Sequence, residues 1–347
     1  IGAKKRHELQ QIYGNAEQIY YGDKTKLKES PVFSEQDKTL LGKPETVKEI
    51  KHKMQRMEQR GIRFCSQESE AFPKKLRYIP PYALFYRGML PDTDRPAIAI
   101  VGGRNTGYES REIAAGFGRQ LAENGIAVVS GLARGIDISA QKGALDIPGG
   151  KTYGVLGTGV DICYPREHIE QYMLMQRRGA VISEYAPGSR GFRSNFARRN
   201  RIISGLSDGV LVIAAREGSG SLITAECALE QGKEVFIVPG NILDPSYAGG
   251  NQLLKSGAAV VTDIQDILDG LGAFWDINYS AQKKKNEVML ETAEKIVYAI
   301  LGFDGIHISE IVAQTGFSVP QTMEVLASLE QKKLVNMVGQ HYYALKI

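Results

Sequence analysis

The sequence predicts an α/β protein: a mostly parallel sheet, with a small helical unit before it and a winged-helix unit after it. Three observations carry this. Between residues 97 and 261 short β-rich runs alternate with helical ones. Residues 1–75 are poor in long β-branched runs and rich in Lys, Glu, Gln and Tyr. Residues 287–347 show the i, i+3, i+4 apolar spacing of amphipathic helices, followed by a hairpin.

In chain order, 47–61 reads as a charged helix stopped by Gly61, so 1–75 is expected to be a small helical domain. Pro73, Pro80, Pro81, Pro91 and Pro96 then exclude regular helix and leave 83–87 as a short strand at a domain junction. Strands are expected at 98–101, 127–130, 152–156, 180–183, 210–214, 234–238 and 258–261, with helices at 110–123, 137–145 and 222–231. Such alternation implies parallel strands joined by right-handed crossovers, with ligands at the carboxyl ends of the strands. The sheet domain is placed at 76–275 and a polar linker, including the lysine run 283–285, at 276–286.

In 287–347, Ala293, Ile296, Val297, Ile300 and Leu301 mark one helix, 309–314 is a second, and a third starts near Ser318 with Pro320 in its first turn. Residues 334–338 and 341–345 read as a hairpin around Gly339. Winged helices often place the third helix in a DNA major groove, yet 318–330 holds Glu324 and Glu330 and no Lys or Arg. A protein-contact or structural role is favoured over duplex reading.

With 43% hydrophobic and 24% charged residues the composition is that of an ordinary globular chain, and a net charge of +4 is too mild to hold nucleic acid except through local clusters. Cys65, Cys163 and Cys227 are odd in number, far apart and in no metal-ligand spacing, which fits a reducing compartment. No apolar run approaches a membrane span and the start has no signal-peptide core, so the chain reads as cytoplasmic without a membrane partner. It begins on Ile1 rather than Met, as a trimmed or partial N-terminus would. The five histidines are scattered singly and suggest neither a metal site nor a triad.

The stretch between Glu184 and Asp208 carries Arg190, Arg193, Arg198, Arg199 and Arg201 around Phe196, with no acid among them. Arginine forks suit phosphate oxygens and an aromatic ring stacks on any base, so this composition points to single-stranded nucleic acid; the plain alternative is a solvated basic loop. Other loops after strands add to it. In GGRNTG (102–107) a glycine turn through Gly103 exposes backbone N–H groups with Arg104 at its tip, an anion site. It is not a dinucleotide fingerprint, because that pattern needs glycine at 104 and an acid where the second strand ends in Ser130.

In 130–137, Gly131 and Gly135 allow close backbone approach, Arg134 faces the same groove, and Asp137 is either a helix cap or a ligand contact. Gly218, Ser219, Gly220 and Ser221 precede a helix, with Ser221 as its N-cap and their N–H groups turned to an anion. Gly150-Lys151-Thr152 has Leu145 where a Walker motif needs glycine, and 205–209 spells a nucleophile elbow in the wrong strand–helix order. Neither supports catalysis, and no cofactor is expected.

The blocks VGGRNTGYES, VVSGLARGIDISAQKGAL, FARRNRIISGLSDGVLVIAA, GSGSLITAECALEQGKEVFIVPG and GGNQLLKSGA resemble, in order between about residues 72 and 271, those of the bacterial DNA-processing protein A family, also called Smf. The resemblance implies an extended Rossmann-like core between a SAM-like helical start and a winged-helix end. It also implies binding of single-stranded DNA, a homodimer, loading of RecA recombinase on incoming DNA during natural transformation, and no established catalytic activity. It places Arg104, Phe196, Arg198, Arg199 and Arg201 in the DNA pocket, has Asn200 fix the loop, and closes one side with 218–221. The chain departs from the family at Gly103 (usually serine), Ala197 (proline) and Gln141 (histidine), and GSRGFRSN replaces a proline-rich approach, adding Arg190 and Arg193 as possible further grips.

The runner-up is an enzyme. Nucleotide phosphoribohydrolases of the lysine-decarboxylase-like group share this type of core and use a P-G-G-x-G-T-x-x-E turn; aligned on Gly220-Ser221, this chain has Thr224 at the acid and Glu226 two residues late, on another face of the helix.

Overall fold

The computed structural model describes residues 8–9, 11–14, 18, 21–23, 25, 29, 34–42, 47–77, 79, 81–92, 94–272, 291–302, 305–332 and 334–345. They fall into two units, 1–271 and 272–347. The linker expected at 276–286, and much of the helical unit expected before residue 34, lie outside the described residues.

In the first unit, α1 (Glu35–Gly42) and α2 (Val47–Gln59) precede a nine-stranded sheet. Its strands are β1 (Arg63–Ser66), β2 (Ala83–Gly88), β3 (Ala97–Gly102), β4 (Ala127–Ser130), β5 (Thr152–Val155), β6 (Gly179–Ser183), β7 (Gly209–Ile213), β8 (Glu234–Ile237) and β9 (Ala259–Val260). The spatial order is β1-β2-β6-β5-β4-β3-β7-β8-β9; β2 is antiparallel to both β1 and β6, and the other neighbours are parallel. Strand β1 was not expected, since RFCS lies in a stretch read as helical. It pairs Cys65 with Leu84, both buried, across the boundary expected at residue 75.

The central strands are buried on both faces, which is why Ile98, Ile100, Val128, Val210 and Leu211 read as apolar runs without alternation. The helices α3 (Tyr108–Glu123), α4 (Ile136–Asp146), α5 (Ile169–Arg178), α6 (Arg193–Gly205), α7 (Gly220–Glu230), α8 (Ala248–Lys255) and α9 (Ile264–Gly272) connect or follow the strands.

From β3 the chain steps outward through β4, β5 and β6, then returns across three strands to place β7 on the far side of β3. The strand order therefore switches between β3 and β7, and the crevice at their carboxyl ends is where such sheets take ligands. The return carries α6. The arginine stretch, expected as a loop, is thus largely helical from Arg193 onward. Its helix was not legible because Phe192 at the N-cap makes no side-chain cap and the first turn holds no acid. At the other end Lys233 Nζ donates to the carbonyls of Ser204 (2.7 Å), Gly205 (2.9 Å) and Ser207 (2.5 Å), which satisfies the end of α6 in place of a glycine cap.

The second unit contains α10 (Thr292–Ile300), β10 (Ile306–His307), α11 (Ile308–Thr315), α12 (Val319–Gln331), β11 (Val335–Gly339) and β12 (Tyr342–Leu345), with an antiparallel sheet ordered β10-β12-β11. Val297, Ile311, Leu326, Leu329 and Val335 form its core. Buried Glu294 accepts from Lys332 Nζ (2.6 Å), Ser328 Oγ (2.7 Å) and the Glu291 N–H (2.7 Å), and these donors, Lys332 first, hold its carboxyl down to about 2. A depressed carboxylate stabilises the fold above its ordinary range and loses that contribution as pH falls. Calorimetry of the full chain should therefore show this unit weakening from about pH 4.5 toward 2, with Glu294→Gln weaker already at neutral pH and less acid-sensitive. Among the described residues, no helix is long and apolar enough to cross a membrane.

Candidate nucleic-acid interface

A cavity of about 780 Å³ opens at the β3/β7 switch point. The loop after β3 supplies Gly103, Arg104, Asn105 and Thr106; the loop after β7 supplies Arg216, Glu217 and Gly218; the N-terminus of α7 supplies Ser219, Gly220 and Ser221. Helix α6 and its approach form the facing wall through Gly191, Arg193, Phe196, Arg199 and Asn200, and Tyr164 enters from the loop after β5. The arrangement joins cations, backbone amides at a helix N-terminus and flat rings, which together suit a phosphate-bearing ligand with bases.

Phe196 is half-buried, with the Arg104 guanidinium 5.8 Å from its ring centre and the Tyr164 ring centre 5.5 Å away at 39°. The cation over the ring is a favourable contact. Arg193 and Arg104 are exposed at the cavity wall.

Arg199 is different. It is buried, donates through Nη1 to the carbonyls of Gly131 (2.9 Å) and Val155 and through Nε to Asn200 Oδ1 (3.2 Å), and burial lowers its pKa to about 10. The Gly131 and Val155 carbonyls belong to the ends of β4 and β5, so Arg199 clamps α6 across the sheet's carboxyl edge. A Cβ on Gly131 would lie 2.1 Å from Arg199 Nη2, so any larger residue there displaces the guanidinium. Asp137 completes the cluster by accepting the Gly131 N–H (3.0 Å); burial raises its pKa, opposed by the charge of Arg199. It anchors the Gly131 loop rather than capping α4, whose N-cap is Gly135.

Asn200 donates to the Gly220 carbonyl (2.9 Å) and so fastens α6 to the start of α7. The cap of α7 is Ser219, not Ser221: Ser219 Oγ accepts the Ser221 N–H, and the two hydroxyls lie 2.7 Å apart.

Three of the expected site residues are held away from the cavity lining. Arg134 is bound in a two-point pair with Glu167 (2.7 and 2.8 Å), which lowers the glutamate and raises the arginine. Arg201 pairs with Glu184 (2.7 Å) and donates to the Ile79 carbonyl, so the stretch read as free of acids is neutralised at one point by the acid that precedes it. Arg198 is exposed outside the lining. Conversely, Tyr164 and Arg216 line the cavity without having been singled out. Their signal was present, since each lies in a loop following a parallel strand. Thr224 also lines the cavity, whereas Glu226 is exposed outside it, so no glutamate stands where the hydrolase turn would need one.

A model of the family described as DNA recombination-mediator protein A matches residues 63–272. The chain belongs to that family. The match starts at β1, which assigns the unexpected strand to the family's domain. Among family relatives, Protein Smf of Escherichia coli is 36% identical over 299 residues, covering 84% of this chain and 79% of that one. The DNA processing protein DprA of Streptococcus pneumoniae is 42% identical over 191 residues, 55% of this chain and 67% of that one. The X-ray structure of the pneumococcal protein superposes with a TM-score of 0.59 at 37% identity, over 65% of this chain and 78% of that one. DNA processing protein A of Helicobacter pylori, whose structure gave insights into its single-stranded DNA binding mode, gives a TM-score of 0.54 at 30% identity, over 61% of this chain and 97% of that one.

Proposed function

We propose that this recombination mediator binds single-stranded DNA in the β3/β7 cavity and, as a cytoplasmic homodimer, presents that strand to RecA recombinase during uptake of DNA. The observation that carries the reading is that Arg104 from the loop after β3, Arg193 and Phe196 from α6, and the 218–221 turn line one cavity. The mode of binding attributed to the Helicobacter pylori relative supports it. Phosphates lie along Arg104, Arg193 and the amides of 218–221, and a base stacks on Phe196. Arg199 and Asn200 hold the wall in place, and Arg198 extends the positive field beyond the cavity. The sheet domain, 76–275 with β1 added, carries the strand, and the winged-helix unit, 287–347, makes protein contacts through its acidic third helix.

Titration of a fluorescent single-stranded oligonucleotide and a blunt duplex of the same sequence tests this. The single strand is expected to bind at least about tenfold more tightly, because only unpaired bases can reach the ring. Equal affinity would remove the basis for the proposal.

A further inference from the structure

Tyr164 has no core task. The residue is 54% exposed, yet its ring sits beside Phe196 at the cavity. Its loop is pinned to the segment that leads into α6: Gly159 N–H donates to the Ser189 carbonyl (2.9 Å), and Asp161 Oδ1 accepts the Gly188 N–H (2.7 Å). The two rings are therefore carried by segments that hold one another. Phe196 is seated on the backbone of this pair of segments, where a Cβ on Gly157 would come within 2.7 Å of its ring and one on Gly191 within 2.8 Å.

The separation decides what the rings can do. A base sandwiched between two aromatic planes needs them roughly 7 Å apart, twice the ~3.4 Å rise of stacked bases. At 5.5 Å and 39° the rings cannot act as jaws on one base. They form instead a folded platform with two faces. We infer that Tyr164 is a second base-stacking residue, so that the cavity takes two consecutive nucleotides of a single strand, one base on Phe196 and its neighbour on Tyr164. This rests on the proposed single-strand function and adds to it a residue and a minimal ligand, a dinucleotide step.

The test uses the full chain, an oligo-dT strand and a strand of the same length with abasic sugars throughout. Tyr164→Ala should weaken oligo-dT binding about five- to tenfold, the low end of one lost base stack, and leave binding of the abasic strand unchanged. Tyr164→Phe, which keeps the ring and loses the hydroxyl, should stay within about twofold of wild type on both strands. An equal loss on both strands would mean that Tyr164 only shapes the loop. A loss in Tyr164→Phe matching that in Tyr164→Ala would assign the effect to the hydroxyl. No loss at all would likewise overturn the inference while leaving the single-strand function standing, provided Phe196→Ala still weakens oligo-dT. A wild-type protein that ignores oligo-dT removes both.

Discussion

Arg199→Met is expected to cost the fold about 3–5 kcal/mol, the range for breaking a buried charge cluster by removing one partner. The substitution leaves the carbonyls of Gly131 and Val155 and the Asn200 amide oxygen without their donor, and it strips buried Asp137 of the opposing charge. Gly131→Ala should reproduce much of the effect, since the new methyl would occupy the guanidinium's place. Urea denaturation of both variants measures it. A pH dependence identifies the cause. Asp137 already has a raised pKa in the folded state, so the fold binds more protons than the unfolded chain between the ordinary carboxylate value and the raised one, and stability falls as pH rises through that window. Losing Arg199 raises that pKa further, so the variant should regain part of its stability on acidification. A variant within about 0.5 kcal/mol of wild type, the scatter of a neutral surface change, would show that Arg199 is not the clamp described.

Phe196→Ala is expected to weaken single-strand binding about tenfold or more, from the roughly 1–3 kcal/mol carried by one base–ring stack. Phe196→Leu fills the same seat on Gly157 and Gly191 without a flat face, and should lose nearly as much. That pair separates stacking from simple occupancy. Fluorescence anisotropy with oligo-dT reads both, and a leucine variant binding like wild type would reduce Phe196 to a packing residue.

The parallel strands were legible because a sheet covered on both faces writes itself as short apolar runs, and the strands at 127–130 and 180–183 fall almost where expected. Helix α6 was not, because RSNFARRNRIISG has neither a capping signal nor acids in its first turn; its start rests on tertiary contacts and its end on Lys233, some thirty residues on. Strand β1 was hidden for a similar reason, since only pairing with β2 makes RFCS extended. The charge of the site could be read from composition, but its division of labour could not. Arg199, Arg201 and Arg134 look alike in the sequence, and only the carbonyls of β4 and β5, Glu184 and Glu167 separate a clamp and two ion-paired cations from the exposed cavity arginines Arg104 and Arg193.

The central claim is that a few exposed cations at the cavity hold phosphates, and the salt dependence of binding reads this most directly. With about four phosphates neutralised, by Arg104, Arg193 and Arg216 at the cavity and Arg198 just beyond it, the slope of log affinity against log salt on a single strand should be roughly −3. In the Arg104→Ala, Arg193→Ala double variant it should flatten to roughly −1.5, two contacts having been removed. A slope unchanged by the double substitution, or near zero in the wild type, would contradict the account.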